Sequence, residues 1–405
     1  MKPSENASGS TGPSTRAVHA GSEHAAPGQP VVTPIYQAAT FFTDAEPVGD
    51  VRYTRYGTNP NHLVLAEKIC ALENAEAAIV LASGNAAAAL AMLTVAGAGD
   101  HIVAAAELYG GTLRIMNREL PRLGVETTFV QRGGDFSSAI RPSTKAIWLE
   151  VPVNPTLRIP DIRPIAALAR ERGIPLIVDA TFATPINFRP LEHGAALVIH
   201  SATKYLGGHS DVTAGVVAGR KDLVAEVREK LKSFGPVLDP HATWLLERGI
   251  KTLSVRMERH NANGMAVARW LSTSPAVEVV HYPGLPSHPD HAIASELLDG
   301  FGGMVSLVVR GGDEAALRVV NRLRMMCVAP SLGGVETLVS MPIFTSHAAL
   351  TRAQRNELGI ADGFIRLSLG IEDPADLIAD LAQALAPELQ HAAAPAALVT
   401  SASNE

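Results

Sequence analysis

From about Leu63 onward, short apolar runs alternate with longer stretches in which hydrophobic residues return every three or four positions. Leu63 to Leu72 reads as an amphipathic helix and Ala77 to Leu81 as a strand. Ser83-Gly84-Asn85 then opens an alanine-rich helix to about Ala96. His101 to Ala105, Val125 to Val130, Ala146 to Glu150, Pro175 to Asp179, Leu197 to His200 and Val212 to Ala218 read as further strands. Between or after them, Gly110 to Leu120, Ile162 to Arg172 and Leu223 to Leu231 read as helices. Apolar strands interleaved with helices predict an α/β fold with a mainly parallel sheet covered on both faces. Ligands of such sheets sit beyond the carboxyl ends of the strands. Ser83, Tyr109, Glu150, Asn154, Asp179 and Lys204 all fall there.

The texture changes after Pro236-Val237-Leu238-Asp239-Pro240. A long helical run from about Thr243 to Leu271 leads to short strands at Val277 to His281 and Met304 to Val309. Helices near Glu314 to Leu323 and Asp376 to Ala384 follow, which together predict a smaller α+β unit. Before Leu63 the chain is rich in Pro, Gly and Tyr without strong periodicity. The expected organisation is an extended arm over 1–60, with 1–12 disordered, a large unit over 61–255, a C-terminal α+β unit over 256–390 and a flexible tail over 391–405.

Composition narrows the function classes. The chain has 405 residues, 47% of them hydrophobic, enough for two or three packed units with a sizeable core. A net charge of −6 argues against nucleic acid or an anionic membrane as partner. No unbroken apolar stretch is long enough for a membrane span, and the first residues lack the apolar core of a signal peptide. Cys70 and Cys327 each lie in an apolar segment and read as reduced core residues of a cytoplasmic protein.

The candidate chemistry concentrates in His200-Ser201-Ala202-Thr203-Lys204-Tyr205-Leu206-Gly207-Gly208. An apolar strand runs into small hydroxyl residues, one lysine and paired glycines. A lysine so placed is readily desolvated, which lowers its pKa and makes its amine a nucleophile. The preceding strand ends in Asp179. A buried lysine and a buried aspartate at neighbouring strand ends form the pairing that pyridoxal phosphate requires. The amine bonds the aldehyde, and the carboxylate keeps the ring nitrogen protonated. Alone, Lys204 would read as a surface lysine after a core strand, and Ser201 to Lys204 also matches a Ser-x-x-Lys nucleophile, but the companion elements of that class are missing. The Ser83 turn between a strand and a helix N-terminus forms an anion site that many α/β turns share. Arg366, on the otherwise apolar Phe364 to Ser368, needs a carboxylate; a structural acid and an amino-acid substrate are equally suited. Tyr53 and Arg55 lie in the arm, which cannot bury itself and is expected to pack on a second subunit. His288-Pro289-Asp290-His291 has metal-ligand spacing but reads as a solvated loop, and no metal is expected.

Taken together, Tyr53-x-Arg55, Ser83-Gly84, Leu108-Tyr109-Gly110-Gly111-Thr112, Glu150-x-x-x-Asn154-Pro155, Val178-Asp179-x-Thr181, Ser201-Ala202-Thr203-Lys204-Tyr205, Ser331-Leu332-Gly333-Gly334 and Arg366-Leu367-Ser368 resemble the Cys/Met-metabolism (trans-sulfuration) family of pyridoxal phosphate enzymes. The likeness covers roughly residues 15–388. It implies the fold type I transferase-like architecture, with a seven-stranded, mainly parallel sheet in the large domain. It implies catalytic Lys204 carrying pyridoxal 5'-phosphate, Asp179 on the ring nitrogen, and Tyr109 stacked on the ring and available as acid or base. Ser83, Gly84, Asn85, Thr181, Ser201 and Thr203 would surround the cofactor, its phosphate completed by Tyr53 and Arg55 of a neighbouring subunit in a dimer of dimers. Arg366, Asn154 and Ser331 would bind the carboxylate of a small amino-acid substrate.

The implied reaction is γ-replacement or γ-elimination of the cystathionine γ-synthase or γ-lyase type. The alternatives are cystathionine or cysteine β-lyase, O-acylhomoserine sulfhydrylase and methionine γ-lyase, or, outside catalysis, a cofactor-binding regulatory protein. Gly111 stands where methionine γ-lyases commonly carry cysteine, and Pro330 where cystathionine γ-lyases often carry glutamate. Asn85 replaces a frequent methionine, and Tyr56-Gly57-Thr58 places three residues before Asn59-Pro60 where two are usual.

Overall fold

The computed structural model describes residues 11–21, 27–46, 51–345, 348 and 350–393. Residues 1–10 and 394–405, where disordered ends are expected, lie outside them. Seven strands form the large sheet: β1 (Ala77–Leu81), β2 (His101–Ala105), β3 (Glu126–Val130), β4 (Thr144–Glu150), β5 (Leu176–Asp179), β6 (Leu197–His200) and β7 (Gly215–Gly219). Their order is β1-β7-β6-β5-β4-β2-β3. The pairs from β6 through to β3 are parallel, and β7 runs antiparallel to both β1 and β6.

Alternation along the strands decides what each face buries. Val178 and Val198 pack in one core with Leu65, Ile69 and Leu72 of the Pro60–Glu73 helix and with the Ile162–Arg172 helix. Ile177, Leu197 and Ile199 point the other way, into a core with the Gly84–Val95 and Lys221–Phe234 helices. A sheet clad on both faces explains why these strands read as continuous apolar runs rather than alternating ones.

The second sheet contains β8 (Val277–His281), β9 (Met304–Val309), β10 (Cys327–Val328), β11 (Leu338–Ser340) and β12 (Phe364–Ser368), ordered β10-β11-β12-β9-β8. Only β10-β11 is parallel. Its core is shared with the Gly312–Arg322 helix and the last helix, Pro374–Ala393. That last helix runs on past His391, where the tail was expected to begin. The arm also has a helix of its own, Pro13–His19; the carbonyls of its Ala17 and Val18, and of Ala20 just past its end, accept hydrogen bonds from the buried Lys68 ammonium at 3.0, 3.1 and 2.7 Å.

The helical run expected from Thr243 to Leu271 is two helices, Pro240–Ile250 and Leu253–Leu271. The break lies where the turn after Lys204 presses on the first helix. A Cβ on Gly249 would run into the Gly207 carbonyl. Arg256 then donates to Tyr205 O at 2.7 Å and Gly249 O at 2.8 Å. This clamp fixes the Lys204 turn against the helix that leads into the second sheet.

Candidate active site

Asp179 ends β5, and its Oδ1 accepts from the Thr181 amide at 3.0 Å and the Thr181 hydroxyl at 2.5 Å. That hydroxyl in turn accepts from the Ser201 amide at 2.8 Å. Thr181 therefore locks together the ends of β5 and β6, from which Asp179 and Lys204 project. Burial pushes the Asp179 carboxyl above its ordinary range, against the pull of the two Thr181 hydrogen bonds and of nearby His200.

Lys204 donates from Nζ to Ser331 Oγ at 2.7 Å, and burial, then the neighbouring Arg366 guanidinium, lower its pKa to about 8. Arg366 lies on β12, 6% exposed. It donates to Asn154 Oδ1 at 2.9 Å and to Ser331 O at 3.0 Å, while its Nε has no partner. Burial lowers its pKa to about 10, so it stays charged at neutral pH. Neither cation meets a carboxylate among the described residues. The alternative of a structural acid for Arg366 therefore falls away; two cations converge where an anionic, amine-bearing ligand belongs.

On the other side, Ser83 caps the Gly84–Val95 helix, accepting from Ala86 N at 3.1 Å. A Cβ at Gly84 would sit 2.6 Å from Ser201 Cβ, so only glycine lets the helix start approach the Ser201 turn. The first amides of a helix have no internal acceptor, and here they open beside the Ser201 hydroxyl. A Cβ at Gly111 would overlap the Tyr109 ring and lie 2.8 Å from Asn85 Oδ1, which places Tyr109 and Asn85 together. Tyr109 is 44% exposed, open to a stacking partner.

The residues expected from sequence thus form two joined groups: Ser83, Gly84, Asn85, Tyr109, Asp179, Thr181 and Ser201 on the large sheet, and Lys204, Ser331, Asn154 and Arg366 between the sheets. Thr203 is less free than expected, because its hydroxyl accepts from Ala214 N at 2.9 Å and donates to Ala214 O at 3.2 Å. Tyr53 and Arg55 do not join Lys204 within one chain. Arg55 instead lies 5.3 and 5.1 Å from the Tyr53 and Tyr56 ring centroids and donates to Lys232 O at 2.5 Å.

Of two further buried acids, Glu150 was placed from sequence at a strand's carboxyl end but given no role, and Glu73 was not singled out. Glu150, at the end of β4, accepts from Tyr109 N at 2.7 Å and Asn154 N at 2.9 Å. Its pKa is raised by burial and by Asp179, its partner in the β4-β5 register. Glu73 meets His200 Nε2 at 2.5 Å on the opposite face of the sheet. The signal for Glu150 was its place in Glu-x-x-x-Asn-Pro; the Glu73–His200 contact spans a separation that no local pattern reveals. The His288 loop holds no cluster of free ligands: Asp290 forms a bidentate pair with Arg158, and His291 donates to Pro283 O at 2.8 Å. Nor does a cleft of about 620 Å³ behind the carboxyl ends of β2–β4 compete as the site. Its Arg132 and Arg158 are spent on Glu107 and Asp290.

An open α/β sheet with a lysine of depressed pKa and a buried aspartate at adjacent strand ends, beside a helix start shaped for a phosphate, defines a pyridoxal-phosphate-dependent enzyme. The comparisons agree. The model of the Cys/Met metabolism PLP-dependent enzymes matches residues 14–386. A cystathionine gamma-lyase of Bacillus subtilis is 45% identical over 88% of this chain and 94% of its own. A cystathionine gamma-synthase of Mycobacterium bovis is 42% identical over 93% of this chain and 97% of its own. The crystal structure of a cystathionine γ-lyase from Micromonospora echinospora superposes with a TM-score of 0.88 at 36% identity, covering 93% of this chain and 99% of that one. The chain belongs to the Cys/Met-metabolism family of pyridoxal-phosphate-dependent enzymes, and pyridoxal 5'-phosphate is its cofactor.

Proposed function

We propose that this enzyme eliminates or replaces a substituent at Cγ of an L-amino acid, with cystathionine or an O-acylhomoserine as substrate. The observation that carries the amino-acid reading is Arg366, a buried guanidinium without an acid, beside the amine of Lys204. The choice of Cγ is supported by the relatives, whose names describe cystathionine gamma-lyase and gamma-synthase.

Gly84, Asn85 and Ser201 would hold the cofactor phosphate, Asp179 the ring nitrogen and Lys204 the aldehyde carbon. When bound, the group supplies an electron sink for negative charge developing next to the amine-bearing carbon. The chain's own residues do the rest. Arg366, steadied by Asn154 and Ser331 O, grips the substrate carboxylate bidentately. Lys204, once released, has the basicity to take the Cα proton near neutral pH and, after passing it on, to take a second from Cβ, whose electron pair then expels the group at Cγ. Tyr109, half-exposed at the large-sheet side of the site, would hand a proton to the departing group. Asp179, tied by Thr181, is held toward the cofactor ring and out of the proton traffic.

The exposed apolar residues of the arm, Val31, Val32, Ile35, Tyr36 and Phe42, support association into dimers and then a dimer of dimers. Tyr53 and Arg55 would then complete a neighbour's phosphate site. A cytoplasmic setting fits the two free cysteines; no helix among the described residues is long and apolar enough to cross a membrane. A side chain at 111 would press on the Tyr109 ring, and Gly111 stands where methionine γ-lyases commonly carry cysteine, which counts against that member. Pro330 stands where cystathionine γ-lyases often carry glutamate, which counts against that member.

The test is to incubate the yellow holoenzyme with cystathionine, with O-acylhomoserine plus cysteine, and with methionine. Assays for 2-oxobutyrate, pyruvate and free thiol then assign the products. Oxobutyrate or cystathionine as product supports the proposal, while pyruvate alone would move the enzyme to β-elimination.

A further inference from the structure

Glu150 is 5% exposed and uses both carboxylate oxygens, one on the Tyr109 amide at 2.7 Å and one on the Asn154 amide at 2.9 Å. The two residues it holds belong to opposite halves of the site. Tyr109 presents the open ring, and Asn154 Oδ1 accepts from Arg366 Nη1 at 2.9 Å. Pro155, next along, accepts from Ser306 Oγ of β9 at 2.8 Å, so the loop after Glu150 is also anchored to the second sheet. No cation pairs with Glu150 among the described residues, and the acid beside it in the register is Asp179. A buried carboxylate that meets only amides and a like charge is costly to keep. Glutamine cannot replace it without loss, because both partners are donors and an amide offers one acceptor and one donor.

We infer that Glu150 is a positioning residue for substrate binding. One rigid carboxylate sets the spacing between the Tyr109 ring and the Asn154–Arg366 carboxylate clamp, so an amino acid gripped by its carboxylate presents its amine in register with the ring. The inference rests on the reading of Arg366 and Asn154 as the substrate-carboxylate site.

The experiment compares holoenzyme of the wild type, Glu150→Gln, Asn154→Ala, the double variant and Arg366→Lys. Three quantities are read: the dissociation constant of pyridoxal phosphate by titration of the apoprotein, that of glycine from the shift in visible absorbance, and KM against kcat for the assigned substrate. Losing one hydrogen bond to a charged acceptor should weaken glycine binding and raise KM by about 10-fold or more in Glu150→Gln. Cofactor affinity should fall less than glycine affinity, because the residues that would hold the phosphate, Gly84, Asn85 and Ser201, do not bond Glu150. In the Asn154→Ala background the same substitution should add little, because the clamp it aligns is already broken. Unchanged glycine binding in Glu150→Gln, or full multiplication of the two losses, overturns the inference. Should Glu150→Gln fail to fold, Glu150→Asp, which withdraws the carboxylate by one methylene, is held to the same criterion. If Arg366→Lys leaves glycine binding intact, the carboxylate-site reading itself fails; if Arg366→Lys weakens it and the Glu150 variants do not, only the role of Glu150 fails.

Discussion

Buried charge is handled in opposite ways at two places in the molecule. Beside the last helix, Glu388 accepts from Arg318 at 3.1 and 2.8 Å and from Arg322 at 2.8 Å, which holds its carboxyl down at about 2. Asp380 accepts from the amides of Arg324, Met325 and Met326 and from Gln383. At the carboxyl edge of the large sheet, Lys204 and Arg366 have no counter-charge, while Asp179 and Glu150 stand as neighbours in the register. Where the chain answers its own charges, they serve the fold. Where it leaves them unanswered, the missing partner arrives from outside, and the pKa values move in the unfavourable direction until it does.

Removing the amine should break that contrast most completely. Lys204→Met is expected to lose the visible absorbance of the bound cofactor and at least about 10³-fold of turnover, measured by 2-oxo acid release. Arg366→Lys keeps the charge and loses the fork; KM should rise about 10- to 100-fold with a smaller change in kcat, by steady-state kinetics. Glu388→Gln belongs to the answered set. It should cost about 2 kcal/mol in urea unfolding and leave KM and kcat alone. Because the folded pKa of Glu388 is depressed, its stabilisation is present above the ordinary value of 4.5 and is lost as pH falls from there toward 2. The variant should show a flatter acid limb.

The subtlest expectation concerns the cofactor-free protein. The folded pKa of Lys204 lies near 8, below its ordinary 10.5, so the unfolded chain binds more protons between these values. The burden of burying the ammonium is therefore present below pH 8 and lifts as pH climbs to 10.5. Melting curves should show apo Lys204→Met more stable than apo wild type at pH 7, the gap closing toward pH 10. A gap independent of pH would place Lys204 among the answered charges.

Sequence reveals the unanswered set better than its partners. Asp179 and Lys204 stand at ends of continuous apolar strands, and a charge after such a run advertises itself; so does Arg366 inside Phe364–Ser368. The Ile162–Arg172 helix was legible from its periodicity, and strands β1, β2, β8 and β9 from their short apolar runs. The split at Lys251–Thr252 was not, because it comes from Gly207 pressing on Gly249, a contact between distant segments. β10 and β11 are only two and three residues long, too short to show alternation. Glu73 escaped notice, and Glu150 was given a place but no role, because what they do depends on what faces them across the fold.

Ser331 adopts a left-handed backbone, φ +96°, uncommon for a residue with a side chain. Through that bend one residue offers its hydroxyl to the Lys204 amine and its carbonyl to the Arg366 guanidinium. Reactivity and substrate choice are therefore geared to a single point of the chain. A change in this loop that admits a different amino acid also shifts the base that must act on it, so drift toward new substrates here proceeds in coupled steps rather than by independent tuning.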